Sequence, residues 1–293
     1  MVIVFNPVAG RRRASLLWRV LDVLVANGVR LDLAETHRPG HAESLAREAA
    51  ANGETLIVAA GGDGTIAEVA NGLIGSSARL GIIPLGTANV LAHELALPFA
   101  PSAVAAALAF GRTQVLWPGL AQGTELGTQG RRLFVQMLGV GFDAHVVHTL
   151  PVGLKRVFGK GAYVIQTLHT LFRYDYAPIR IRVDGVETSA ASVIVSKGVL
   201  YGGTYRLAAD GRSGEPGFSV ALFDNAGPGA ALLYGAALPL NLLARAPGVR
   251  HMRAARIEVG GNRPLPVQTD GDPAGFSPLS IVDAPGPIRV VVG

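Results

Sequence analysis

Apolar runs of strand length alternate with stretches of helical periodicity over the first 117 residues. Val2–Phe5 is a β-branched and aromatic run, and residues 15–26 repeat apolar positions at helical spacing. Residues 29–34 then read as a second strand and 41–52 as a second helix, closed by Gly53. Residues 55–60 (TLIVAA) are apolar after Thr55, as expected of a strand buried on both faces of a parallel sheet. From Thr65 onward, Ile66, Val69, Ala70 and Leu73 return at helical spacing. Residues 80–83 form a fourth strand, and 88–95 and Pro101–Phe110 are helical, the latter stopped by Gly111. This alternation predicts a right-handed, doubly wound, mostly parallel sheet covered on both faces, an α/β domain over residues 1–117.

Past Pro118 the pattern changes to strands in succession: residues 132–140, Ile179–Val183, 189–195, Phe218–Phe223, 257–259, 265–268, 280–282 and Ile288–Val292. Val183-Asp184-Gly185-Val186 places an Asp-Gly turn between two alternating runs, a hairpin signal. Helical periodicity is confined to 155–172 and 228–243, and the glycine-rich residues 119–130 read as a turn or hairpin near the boundary. A second, mainly antiparallel β domain over 118–293 follows. Its most apolar stretch, 230–244, falls short of the ~20 residues a bilayer span needs and contains Pro239.

Candidate chemistry lies at the strand-to-helix junctions of the first domain. Gly61, Gly62 and Gly64 free the backbone for positive φ and for close approach of a ligand, and Asp63 is the one charge among them. Thr65 with Glu68 fits a capping box, so the N–H groups of a helix N-terminus would face this turn, and such an end attracts phosphate. Taken alone, a glycine turn of this kind is a common α/β connection. A second one follows residues 80–83, with Gly86, Thr87 and Asn89 before the next helix. Two such turns on successive parallel strands would lie side by side at the carboxyl edge of the sheet, where open α/β folds bind ligands.

Composition removes several other chemistries. The 293 residues include no cysteine, which excludes disulfides and thiolate metal sites and suits a reducing cytoplasm, and no signal-peptide pattern precedes the first strand. The seven histidines show no zinc spacing, no serine stands in Gly-x-Ser-x-Gly, and Gly-x-Gly-x-x-Gly is missing from the first junction. The net charge of +5 comes from the second domain, where seventeen Lys and Arg face twelve Asp and Glu; the first holds nine of each. That excess suits an anionic membrane surface, with plain solubility as the competing account, and no dense basic run points to nucleic acid.

These residues resemble the diacylglycerol kinase catalytic-domain family of lipid kinases, which includes sphingosine kinases. The matching pieces run in family order: Asn6-Pro7 with Gly10 and Arg11, Gly61 to Thr65 with Glu68 and Asn71-Gly72-Leu73, Pro84 to Asn89, Gly139 to Asp143, and Asp270-Gly271. The resemblance implies a fold like that of phosphofructokinases and NAD kinases in the first domain. It also implies ATP and Mg²⁺ as cofactors, a lipid hydroxyl as acceptor, and a cytoplasmic enzyme working peripherally at the membrane. Asn6, Pro7, Gly10, Arg11, the three glycines, Thr65, Glu68, Gly86, Thr87, Asn89 and Asp272 are then the nucleotide residues. Asp270 is the general base, with Asp63 a second catalytic candidate and, with Asp143, a metal-linked one; in sphingosine kinases the base is the Asp that aligns with Asp63.

Two positions depart from the family pattern. Asp272 stands where the bacterial enzymes have Glu, and Val90 where many members have Asp. Diacylglycerol is the expected acceptor. A sphingoid base, a monoacylglycerol or phosphatidylglycerol remains open, as does a nucleotide- or lipid-binding protein without catalysis. An NAD kinase is disfavoured, because no Asn is followed by Glu.

Overall fold

A computed structural model describes residues 1–8, 14–127, 130–151 and 160–293 of the chain. The chain divides into two compact units, residues 1–118 with 284–293, and residues 119–283.

Unit 1 is the α/β layer. Its elements are β1 (Val2–Phe5), α1 (Ala14–Ala26), β2 (Asp32–Glu35), α2 (His41–Ala51), β3 (Leu56–Gly61), α3 (Asp63–Leu73), β4 (Arg79–Pro84), α4 (Val90–Glu94), α5 (Pro101–Phe110) and β5 (Arg112–Leu116). The sheet runs β2-β1-β3-β4, then the distant strand Ile288–Val292, then β5, and all pairs are parallel except the last. Every residue of β3 is buried, as its unbroken apolar run requires. Leu17, Val20 and Leu24 of α1 join Val104, Ala105 and Leu108 of α5 in one core with Ile3, Val58 and Val291 of the sheet. β2 starts later than its apolar pattern suggests, because the Val29 N–H is spent closing α1 on the Leu24 carbonyl at 3.0 Å. Ile288–Val292 is a difference of assignment: the pattern left it with the second half, whereas it pairs inside the first sheet.

Unit 2 holds β6 (Gly119–Gln122), β7 (Arg131–Phe134), β8 (Met137–Val140), α6 (Phe142–Thr149), α7 (Lys160–Thr170), β9 (Ile179–Val183), β10 (Val186–Ala190), β11 (Ser192–Ser196), β12 (Leu200–Tyr201), β13 (Tyr205–Arg206) and β14 (Phe218–Phe223). After these come α8 (Pro228–Ala237), a 3₁₀ turn (Leu243–Arg245), β15 (Val249–Ala254), β16 (Ile257–Gly260), β17 (Pro266–Thr269), β18 (Asp272–Phe276) and β19 (Leu279–Asp283); Ile288–Val292 is β20. Two antiparallel sheets, β10-β9-β16-β19-β6-β7 and β15-β14-β11-β8-β17-β18, share one core that includes Ile179, Ile181, Ile257 and Ile281 from the first and Leu138, Val193, Phe218 and Val267 from the second. β9 shows the rule plainly: Ile179, Ile181 and Val183 point inward while Arg180 and Arg182 stay exposed.

Three stretches that read as single elements are divided. Residues 132–140 form β7 and β8 on different sheets, and 189–195 is shared between β10 and β11, also on different sheets. The helix expected over 228–243 stops at Ala237, ahead of Pro239 and of Asn241 at φ 56. β15, with Arg250, His251 and Arg253 in a six-residue strand, had no apolar pattern to announce it.

Candidate functional site

β3 and β4 end side by side, Gly61 opposite Pro84, so the turns that follow them are neighbours. The Leu85 and Gly86 N–H groups both donate to the Gly61 carbonyl, at 2.9 and 3.2 Å. The next step brings the two turns together backbone to backbone: a Cβ built on Gly62 would lie 3.3 Å from the Gly86 Cα, and one on Gly61 would lie 2.5 Å from the Thr65 hydroxyl. None of Gly61, Gly62 and Gly64 stands at positive φ. Their smallness serves close approach, and the positive φ expected of them is not used.

α3 begins at Asp63 with Gly62 as its N-cap, and no side chain caps it. The capping box expected of Thr65 and Glu68 is therefore not formed. The helix starts three residues early, which buries Thr65 in its first turn, where its hydroxyl accepts the Asn6 Nδ2 hydrogen bond at 3.1 Å. Asn6 also accepts the Val8 N–H at 3.0 Å, so the β1 turn carrying Pro7 is tied to the start of α3. Gly10 and Arg11 lie outside the described residues. Glu68 faces another helix: its two oxygens accept the N–H groups of Gly40 and Ala42 at 2.9 and 3.2 Å, at the N-terminus of α2. Gly72 has a packing reason as well, since a Cβ there would lie 2.5 Å from the Glu43 carbonyl oxygen of α2.

The second turn is closed by Asn89, buried, at φ 49, donating from Nδ2 to the Gly86 carbonyl at 2.9 Å. Its Oδ1 is buried and has no hydrogen-bond partner among the described residues. Thr87 is exposed beside it. Asp63 Oδ1 lies 3.4 Å from the Leu91 N–H at the start of α4, the place where Val90 is packed away.

Unit 2 carries the other two aspartates. Asp270 sits in the left-handed region at φ 50, between β17 and β18. Its Oδ2 accepts the Val135 N–H at 2.9 Å, and its Oδ1 accepts those of Gln136 and Met137 at 2.8 and 2.9 Å. These bonds turn the backbone out of the ladder at Val135-Gln136, which is why residues 132–140 form two strands. Asp272 follows at the start of β18, half-buried.

Asp143, the other metal-linked candidate, has both carboxylate oxygens facing protein donors. Its Oδ1 takes the Tyr201 hydroxyl and its Oδ2 the Gln268 amide at 2.9 Å. Desolvation raises its pKa, against the opposing pull of those two donors, and burial together with the Asp143 charge pushes the Tyr201 phenol well up. Gln268 in turn accepts the Gly271 N–H at 2.9 Å, and the Tyr163 hydroxyl reaches the Gly271 carbonyl at 3.3 Å. Gly139 makes room for this network, because a Cβ there would lie 2.6 Å from Asp143 Oδ2. Sequence reasoning passed over Gln268 and Tyr201; a Gln directly after the apolar Leu265-Pro266-Val267 was the available signal. Among the described residues no group of three or more His, Asp or Glu could hold a metal ion, and no helix is long and apolar enough to cross a membrane.

One more buried charge went unforeseen. Lys197 is 1% exposed, and its ammonium donates to the Glu215 and Gly217 carbonyls and to Asp283 at 2.7 Å. With all three protons engaged it fastens the end of β11, which it follows, to Asp283 of β19, and desolvation lowers its pKa.

Residues 1–117 match the family description "Diacylglycerol kinase catalytic domain", and residues 136–292 match "YegS C-terminal NAD kinase beta sandwich-like domain". The diacylglycerol kinase of Bacillus subtilis (strain 168) is 26% identical over 99% of this chain and 95% of its own length. A protein of Pseudomonas aeruginosa (strain UCBPP-PA14) named probable lipid kinase YegS-like is 30% identical over 90% of this chain and 85% of its own. Among solved structures, a candidate diacylglycerol kinase from Bacillus anthracis str. Sterne superposes with TM-score 0.80 at 22% identity, over 100% of this chain and 94% of that one. The likeness covers the α/β unit, the sandwich and each quoted motif, and the chain belongs to the diacylglycerol kinase family, with a catalytic domain followed by a C-terminal domain of the YegS type.

Proposed function

We propose that the protein is an ATP-dependent lipid kinase that transfers the γ-phosphoryl group of ATP to a lipid hydroxyl, with diacylglycerol as acceptor and phosphatidic acid as product. The observation that carries this reading is the Gly62–Gly86 apposition beside the uncapped N-terminus of α3. A side chain at either glycine would force the two turns apart, and the helix N-terminus they flank suits phosphate oxygens, since backbone N–H groups and the helix dipole favour negative charge. Asn89 Oδ1, buried and unanswered among the described residues, leaves an acceptor at the same turn for an N–H or O–H group of a ligand.

In the reaction the hydroxyl oxygen forms a bond to the γ-phosphorus, the bond from that phosphorus to the β-phosphate oxygen breaks, ADP leaves, and the hydroxyl proton passes to a carboxylate. Asp270 is the proposed base and Asp63 the proposed group beside the nucleotide. Asp63 is the residue that would stand beside a Mg²⁺ ion arriving with the nucleotide, and such an ion would neutralise phosphate charge. Asp143 is left out of the metal role, its oxygens being engaged by Tyr201 and Gln268.

The proposal places the enzyme in the cytoplasm, working on a membrane lipid. Its test is phosphorylation by the purified protein with ATP and Mg²⁺ of diacylglycerol, monoacylglycerol, sphingoid base and phosphatidylglycerol in mixed micelles. Product from diacylglycerol is expected, and no product from any of the four would end the reading.

A further inference from the structure

Between Asn225 and Ile257 the chain contains no acidic residue and four arginines, Arg245, Arg250, Arg253 and Arg256. The same stretch holds α8 and the turn after it, where Leu232, Leu233, Leu240 and Leu242 are 47%, 46%, 67% and 49% exposed. Their exposure follows from how α8 is fixed. The Tyr234 hydroxyl donates to the Pro247 carbonyl at 3.1 Å and its ring packs edge-on against Phe223, while Ala237 is buried. At 100° per residue the face carrying Tyr234 and Ala237 points inward, so Leu232 and Leu233 are turned out.

Two cations border these leucines. Arg206 is exposed on β13, its backbone N–H donating to the Asn241 side chain at 2.8 Å, and Asn241 lies between Leu240 and Leu242. Arg245 is exposed on the 3₁₀ turn. Neither is engaged in an ion pair among the described residues, whereas Arg250 and Arg256 are matched by Asp224 and Glu258.

A short hairpin connects this surface to the Asp270 turn. In it Leu200 lies opposite Arg206 and Tyr201 opposite Tyr205. Tyr201 is the residue that holds Asp143, and the Leu200 carbonyl accepts the side-chain amide of Gln136, whose backbone N–H is bound by Asp270.

We infer that the outward face of α8 and the following turn, with Arg206 and Arg245, docks the enzyme on an anionic lipid bilayer. The leucines enter the acyl boundary and the arginines meet lipid phosphates. A second copy of the chain is a poorer occupant. A two-fold contact would set Arg206 and Arg245 of both copies against one another, and the stretch has no carboxylate to answer them. The inference takes the class of its partner from the lipid-kinase reading and adds the surface through which the enzyme meets it.

The test is sedimentation of the full chain, without nucleotide, with vesicles of phosphatidylcholine alone or with phosphatidylglycerol added. Binding to the anionic vesicles is expected, weakened about tenfold or more by Leu240→Glu with Leu242→Glu, and likewise by Arg206→Glu with Arg245→Glu. Melting temperatures and phosphorylation of micellar lipid should stay at wild-type values. Variants that sediment like wild type, or equal binding to uncharged vesicles, would overturn the surface. So would self-association that these variants abolish in a protein that ignores vesicles. Wild type that phosphorylates micellar lipid without sedimenting ends the docking inference alone; wild type that sediments and phosphorylates nothing supports the surface and ends the kinase reading.

Discussion

Gly86 and Gly62 are in contact through their backbones: a Cβ on Gly86 would stand 2.6 Å from the Gly62 Cα and 2.7 Å from Asn89 Oδ1. Neither obstacle is the free end of a flexible side chain. Gly86→Ala is therefore expected to push the two turns apart, lowering stability by about 1–3 kcal/mol and raising the KM for ATP by tenfold or more. Denaturant unfolding and ATP-dependent turnover on one preparation check it, and wild-type KM would show that the turns do not hold nucleotide.

Glu68 was grouped with the nucleotide residues, yet its oxygens cap α2. Glu68→Gln keeps one good acceptor and removes the charge, which predicts a stability loss of about 1–2 kcal/mol. The KM for ATP should stay within twofold of wild type. A large rise in KM with unchanged stability would return Glu68 to the nucleotide.

Asp270 poses a problem of two tasks. An Asn there tolerates φ 50, but it must present an NH₂ toward backbone N–H groups that now meet a carboxylate oxygen. Asp270→Asn is expected to lose about 1–3 kcal/mol of stability and, in the fraction that remains folded, at least a hundredfold in kcat. Asp63→Asn is the variant to make beside it. Full kcat in folded Asp270→Asn together with its loss in Asp63→Asn would move the base to Asp63.

The raised pKa of Asp143 fixes the sign of one pH dependence. A carboxyl whose folded value lies above its unfolded value holds its proton more firmly when folded, so its contribution to stability is complete below the ordinary carboxylate range. That contribution falls as pH rises through the raised value. Asp143→Asn removes the titration, and the stability of wild type relative to the variant should decline from pH 4 toward neutrality. Chemical denaturation across that range tests it; a difference that grows with pH would contradict the assignment.

Much of unit 1 could be read from residue patterns because parallel strands buried on both faces write themselves as apolar runs, and β3 and β4 are such runs. The glycine turns were equally visible, although the reason for them was close approach. What stayed hidden depended on partners far away in the chain. Nothing local in residues 132–140 shows that Asp270 claims the N–H groups at 135–137, and nothing near Glu68 shows that α2 begins against it. Lys197 reads as a surface lysine until Asp283 and two carbonyls are placed around it. β15 was lost because Arg250, His251 and Arg253, all exposed, break the alternation that announces a strand.

The position of β20 has a consequence for the order in which the molecule can be made. It lies between β4 and β5, bonded to both, and residues 119–283 intervene before it is synthesised. During synthesis β5 therefore emerges with its neighbour still missing, and the whole sandwich leaves the ribosome before the first sheet can close. The second unit can finish folding while the first waits, its β4 edge open to any strand that offers itself.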